Sequence, residues 1–456
     1  MKISVLLIAS FSLASCRDFL SVQPQGKVLP KTDEEFRALI DARLRDIEGG
    51  ADEYIVGNMD VIARLEGCAD DLDANIMAGS NLPVYAGALI NKRQTDWREI
   101  WKIVRDCNIV IANLKSRTST LASKTLSAAY AIKAVCYYNM TRDFCPAWND
   151  GSEIGLPIVE TFDAFDRPAR ASLRETRDYA LSLFDAALAL EPSDSEFIFT
   201  EYVIKAYKAK LLFWTENWGE TLLLCDDIIQ NSSFELADED SYAAEFSSAG
   251  QGGKETIVRS HINDSGELDW YFSALRGYIA SRPASASLIK LYGDHPENDV
   301  RHGLCFDPRR FNLKAPECRI RLSEIYLMKA EVLCHLGREA EALEAINYLR
   351  DKRLRSYEAL SLSSLPPLRT DGIVVYDATG KGLTPLLQLI FDERRKELFM
   401  EGDRWFELKR NGSPEWWVIS SGLKYTTRKY MYTAPIYRGD VRLNLELAQN
   451  EGYEAD

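Results

Sequence analysis

Residues 321–353 read RLSEIYLMKAEVLCHLGREAEALEAINYLRDKR. Ile325, Met328, Val332 and Leu333 recur at the three- and four-residue spacing of one helix face. Gly337 closes that helix, and Ala342 and Ile346 line a second one. A glycine turn followed five positions later by a small side chain is tetratricopeptide-like, because two helices approach closely only over a small residue. This stretch predicts a helical hairpin, and the rest of the chain is read outward from it.

Similar helical periodicity, without a strict repeat, runs through much of the sequence. Thr32-Asp33-Glu34-Glu35 is a cap-like start leading into Phe36, Leu39 and Ile40. Further helices are predicted over about Thr95–Leu114, Leu126–Arg142, Leu173–Leu190, Thr200–Thr215, from Trp218 to near Gln230, and over Pro385–Met400. Between them, about 232–312 is rich in Gly and Pro and carries β-like pieces such as Thr256-Ile257-Val258. The tail from Trp416 to Tyr453 reads as short strands and irregular coil. The expected fold is therefore mostly α: tetratricopeptide-like hairpins forming a scaffold, with a loop-rich, minor-β region carried on it.

The chain has 456 residues, 55 Lys+Arg against 69 Asp+Glu and a formal net charge of −14, with 46% hydrophobic residues. Those proportions are globular rather than disordered. The acidic balance argues against a general nucleic-acid binder or a polybasic lipid contact. At the N-terminus, Lys2 precedes an apolar run from Ile3 to Leu13, too short to span a bilayer but suited to a secretory signal. It ends in Leu13-Ala14-Ser15-Cys16, which resembles a bacterial lipobox. Residues 1–15 are thus expected to be a signal peptide, Cys16 the lipid attachment, 16–31 a polar tether, and 32–456 one domain. Acyl chains contribute about 0.8 kcal/mol per buried CH₂, and the two or three of a lipoprotein hold it stably. The other eight cysteines are scattered without zinc spacing and are expected to be mostly free and buried.

Motifs for catalysis or metal binding fail on inspection. The four histidines form no metal spacing. Asp71-x-Asp73-x-Asn75 imitates an EF-hand start but lacks its glycine and closing glutamate, so it reads as a solvated acidic loop. Gly253-Lys254 lacks the leading glycine and trailing hydroxyl of a phosphate loop, and Ser287-x-x-Lys290 lacks the partners of its catalytic namesake. Glu393 and Glu397, one turn apart among arginines, invite a glycosidase reading. That density of opposite charge instead predicts lowered pKa values and ion pairing. No catalytic residue, cofactor or metal is assigned.

Several segments together resemble the SusD/RagB family of outer-membrane nutrient-binding lipoproteins. Cys16 is followed by Asp18-Phe19-Leu20-Ser21-Val22-Gln23-Pro24, similar to the family's post-anchor opening. Residues 321–331 resemble its central helix, and Glu393–Leu398 with Glu401–Arg410 match its C-terminal signature. Pro435-Ile436, Asn444 and Gln449–Tyr453 look like its closing segment. The chain departs at Arg142-Asp143-Phe144-Cys145-Pro146, where many members have Gly-Asp-x-Pro, and at Glu451, where proline is commoner. The resemblance implies a surface lipoprotein without enzymatic activity. Such a protein captures an oligosaccharide or peptide and closes as a lid over a SusC-like TonB-dependent barrel transporter. It also implies that the signature helices, with Trp405 and Phe406, are scaffold.

Sugar rings stack C–H faces on aromatic rings while their hydroxyls seek polar side chains. Loop aromatics are therefore the candidate ligand contacts: Tyr85 beside Asn81 and Asn91, Trp148 with Asn149 and Asp150, and Trp270 and Tyr271 with Arg276. Trp270 is placed first among them. Trp97 and Trp101, four apart on a helix face, are assigned to the core. Two other readings stay open here: a lipid-anchored glycan hydrolase and a protein-only helical-repeat scaffold.

Overall fold

The computed structural model describes residues 30–73, 93–163, 165–190, 197–246, 253–260, 277, 282–420 and 423–453. The predicted signal peptide, Cys16 and most of the tether lie outside these residues. Helix α1 (Asp33–Glu48) starts on the expected capping box, in which Thr32 Oγ1 accepts from Glu35 N and the Glu35 carboxylate accepts from Thr32 N. It is followed by α2 (Met59–Cys68), α3 (Arg93–Leu114), α4 (Thr120–Phe144), α5 (Leu173–Leu188), α6 (Glu201–Trp214) and α7 (Trp218–Asn231). Helix α4 begins six residues before its predicted start because the Ser119 hydroxyl caps Ala122 N. Helix α2 was missed by the periodicity; Asn58 Oδ1 caps it by accepting from Asp60 N and Val61 N.

The helices pack in sequence order, α3 on α4, α4 on α5 and α6 on α7. Helix α4 is buried along most of its length, and Ala128, Ala129, Ala131 and Ala134 allow its neighbours to close in. Later in the chain come α8 (Ala286–Ile289), α9 (Val300–Cys305), α10 (Leu322–His335), α11 (Glu339–Asp351), α12 (Pro385–Glu397), α13 (Arg404–Arg410) and α14 (Arg438–Leu443). The pair α10–α11 is the hairpin that opened the sequence reading. Gly337 turns it at φ +72°, and Ile325, Met328, Val332, Leu333, Ala342 and Ile346 are all fully buried. Helix α10 also packs on α7, and α12 lies across α10 and α11, so the hairpins form one continuous stack.

Strands are few and short. Antiparallel pairs join β1 (Ile154–Pro157) to β2 (Arg170–Ser172), β3 (Thr256–Arg259) to β4 (Arg319–Arg321), and β5 (Trp416–Ser420) to β6 (Leu423–Thr427). The β-like piece at Thr256 pairs with the strand that feeds α10, Thr256 opposite Arg321. This fixes the loop-rich region to the scaffold. A second small core of Met59, Leu72, Ala284, Leu288, Tyr292 and Phe306 lies beneath that region. Each of the eight cysteines among the described residues is a free thiol, six fully buried and two partly. Among the described residues no helix is long and apolar enough to cross a membrane.

Candidate functional site

The signature carboxylates are structural. Glu397 is fully buried and accepts from Arg321 Nη1 at 2.7 Å, Arg353 Nε at 3.0 Å and Arg301 Nη1 at 3.2 Å. Glu393 pairs with Arg301, Lys396 and Arg350. Burial would raise both pKa values, but the surrounding cations outweigh it and hold both carboxyls well below the ordinary range. Neither can hold a proton for general-acid work near neutrality. Arg321 and Arg353 are bridged further by Glu255, next to β3, so the network ties the loop-rich region to α11 and α12.

The acidic stretch after α2 corrects one expectation. Asp71 is buried rather than solvated, because Arg395 on α12 donates to it at 2.5 Å. Asp70 takes Arg404 at 2.7 Å, and Asp73 takes Arg310 at 3.0 Å. Ser287 accepts from Arg395 and Lys290 pairs with Asp371, so each has a partner outside the S-x-x-K pattern. Trp97 is core, with its indole Nε1 donating to Asp440 at 3.1 Å and Trp101 packed edge-on to it.

Tyr85, Trp270, Tyr271 and Arg276 lie outside the described residues, but the chain on which each loop is rooted does not. Residues 74–92 leave the fold at Asp73, and residues 261–281 leave at Ser260 and return at Arg282. Those roots are fastened to each other. Leu72 bridges Ala284, Asp73 N donates to the Pro283 carbonyl at 2.9 Å, and the buried Arg282 donates to the carbonyls of Asp73 and Leu72. At the other end, Ser260 N donates to the Cys318 carbonyl at 2.9 Å. The segments bearing four of the five aromatic and arginine candidates therefore spring from one shared base.

Trp148 is not on that base. It is half-buried and backed by the Arg177 guanidinium 4.8 Å from its ring, and it lines a cleft of about 800 Å³. The same cleft is lined by Glu216, Asp377, Lys409 and Tyr430, from four separate parts of the chain. Lys409 Nζ donates to the carbonyls of Arg142 and Cys145, and burial pushes its pKa down to about 7. Asp377 accepts from Thr379 and from Lys381 N. Glu216 sits at φ +57° in the turn between α6 and α7, and among the described residues its carboxyl accepts no hydrogen bond. Burial raises its pKa to about 7, against the lowering pull of Arg410 and His335. The sequence marks Trp148 but not Glu216, Asp377, Lys409 or Tyr430, which line the cleft with it. Glutamate at a left-handed turn position has no sequence signature, although the tyrosine-rich stretch Tyr425–Tyr437 could have marked Tyr430.

A family model described as the SusD family matches residues 308–453, the stretch from the end of the loop-rich region through the ion network to the closing segment. The SusD-like protein P38 of Formosa agariphila is 21% identical, aligned over 89% of this chain and 90% of that protein. The solved structure of a SusD superfamily protein from Bacteroides thetaiotaomicron superposes with a TM-score of 0.72 at 20% identity, covering 92% of this chain and all of that one. The C-terminal third of the chain thus resembles the SusD family, and the described fold resembles solved SusD superfamily structures. The expected SusD-like scaffold is thus what the helices build. A laminarin-binding SusD-like protein also shares the fold, with a TM-score of 0.60 at 15% identity over 92% of this chain and 99% of that one. No group of three or more His, Cys, Asp or Glu side chains among the described residues is arranged to hold a metal ion.

Proposed function

We propose that this chain is a SusD-family cell-surface lipoprotein of the outer membrane. In this reading it is anchored through Cys16 and captures an oligosaccharide with its paired loops. It then hands the cargo, as a lid, to a SusC-like TonB-dependent barrel transporter. The observation that carries the binding role is the shared base of the two loops. Tyr85 falls in the sequence between Asp73 and Arg93, and Trp270, Tyr271 and Arg276 between Ser260 and Arg282, and the described chain at Asp73 and Arg282 is joined beside the bridge at Leu72–Ala284. Fixed roots let loop aromatics meet a ligand without ordering the whole loop from scratch, which lowers the entropy cost of binding. The laminarin-binding relative supports a glycan as cargo. The lipobox tetrapeptide supports the anchor. Use of Glu393 and Glu397 as ion-pair partners supports a binder over a hydrolase.

Two measurements test this. Mass spectrometry of the tagged lipoprotein, pulled from gently solubilised outer membranes, is expected to return a stoichiometric barrel transporter together with retained cargo. Recovery of the protein alone would count against the lid. In titration with the oligosaccharide so identified, Trp270→Ala should weaken binding at least tenfold, about 1.4 kcal/mol, without unfolding the chain. Unchanged affinity in the folded variant would remove Trp270 from the site, and turnover of the glycan would favour a hydrolase.

A further inference from the structure

The cleft that holds Trp148 is separate in sequence from the paired loops, and its construction points to a ligand. Its volume of about 800 Å³ falls inside the ~300–1,000 Å³ of small-molecule sites. Most of its polar lining is already committed to the protein. Asn450 donates to the carbonyls of Phe144 and Ala434 and accepts from Arg170, while Gln449 exchanges two hydrogen bonds with Ile436. Lys409 and Asp377 are occupied as described. Glu216 is one of the lining groups left uncommitted, with Asn149, Lys429, Tyr430, Thr433 and Glu451. The Glu216 carboxyl lines the cleft with no donor among the described residues, on a residue held at φ +57°. Non-glycine residues in that region cost about 1–3 kcal/mol and persist where the surroundings over-determine them, often at binding sites. The same cleft is lined by the Trp148 indole, which is already stacked on Arg177 and packed against Gly151, a ring pre-oriented rather than free to rotate.

We infer that this cleft is a second oligosaccharide site, apart from the paired loops. It takes a sugar ring whose C–H face lies on Trp148 and whose hydroxyls donate to Glu216. The inference rests on the reading of the chain as a glycan binder and assigns it an additional subsite. A hydrogen-bond acceptor and a half-buried aromatic face lining one cleft are the combination that a sugar, with hydroxyls to donate and C–H faces to stack, can satisfy. The charged groups around Glu216 are Arg410 on α13, His335 on α10, Asp377 in the preceding loop and Glu153 before β1.

The test uses the full chain without its lipid. An array of oligosaccharides that includes laminarin fragments selects a binder, which is then titrated by calorimetry into wild type, Trp148→Ala, Glu216→Gln and Trp270→Ala. Wild type is expected to show two classes of site. Trp148→Ala and Glu216→Gln should each weaken one class at least fivefold, and Trp270→Ala the other. Glu216→Gln keeps the size of the side chain, so it guards against loss of binding through misfolding of the loop at Trp148. A single class that Trp270→Ala abolishes and both cleft variants leave untouched would overturn the cleft while leaving the glycan reading intact. No saturable binding of any glycan would overturn both.

Discussion

Glu66 shows how a single side chain sets part of the pH response. It lies on α2, accepts from Gly402 N at 3.1 Å and is fully buried, its second oxygen unbonded among the described residues. Burial first, then the nearby charge of Asp71, pushes its pKa up to about 8. A carboxyl whose folded pKa lies above its unfolded value stabilises the fold at low pH, and that stabilisation is lost as pH rises. The window here runs from about 4.5 to about 8. Glu66→Gln keeps an acceptor for Gly402 N and cannot ionise. Between pH 6 and pH 9 its melting temperature should therefore fall less than that of wild type, with the gap widening as pH rises. Equal slopes in thermal scans would show that Glu66 is ionised in the folded state throughout. Glu393 and Glu397 read in the sequence as ion-pair partners from the cations beside them on α12. Yet of those only Lys396 pairs with Glu393, and the arginines on Glu397 come from α9, β4 and the chain after α11. Glu66 and Glu216 were not legible, because what raises their pKa is burial built by segments far away in the chain.

Among the elements, the hairpin α10–α11 was the most legible, and the reason is local. Its periodicity, its glycine turn and its small residue at Ala342 all fall within one short stretch. Ala342 is fully buried where α11 meets α10. Ala342→Leu adds three carbons to a full contact and should cost about 1–3 kcal/mol in denaturant unfolding. A neutral result would mean that the hairpin can splay without loss. The approach of α2 to α13 is another element-level constraint. Gly402, just before α13, has φ +73°, and a Cβ there would lie 2.7 Å from Ile62 Cδ1 and 3.0 Å from Leu65 Cδ1. Gly402→Ala should destabilise by at least about 1 kcal/mol, the left-handed conformation and the contact both opposing it. Helix α2 itself escaped the sequence reading: seven of its ten residues are buried, so no polar face marks its period.

Taken whole, the molecule is held together across long sequence distances by charge. Arg301 from α9, Arg321 from β4, Arg353 after α11 and Glu255 before β3 converge with Glu397 of α12. Composition could place these residues among the charged quarter of the chain but not in its interior, since burial of so many ions depends on every partner arriving together. Removing Glu397 leaves three buried arginines with less compensating charge, although Asp299, Glu393, Glu255 and Glu401 still pair with them. Glu397→Gln should lower stability by about 3–5 kcal/mol. If residues 32–456 are one domain, it should do so by moving a single calorimetric transition rather than splitting it in two. Two separated transitions would mean that the loop-rich region unfolds on its own.

The fastening at the loop roots has a consequence for how relatives diverge. Leu72–Ala284, Asp73–Pro283 and Arg282 on two carbonyls are joined chiefly through main-chain atoms. Backbone pairing is indifferent to which side chains follow it, so residues 74–92 and 261–281 can change length and composition without rewriting the scaffold beneath. The chassis is thus built for cassette exchange. If the proposed binding role holds, exchanging residues 74–92 and 261–281 for those of a relative, joined at Asp73, Arg93, Ser260 and Arg282, should change the ligand while leaving the melting temperature of the scaffold in place.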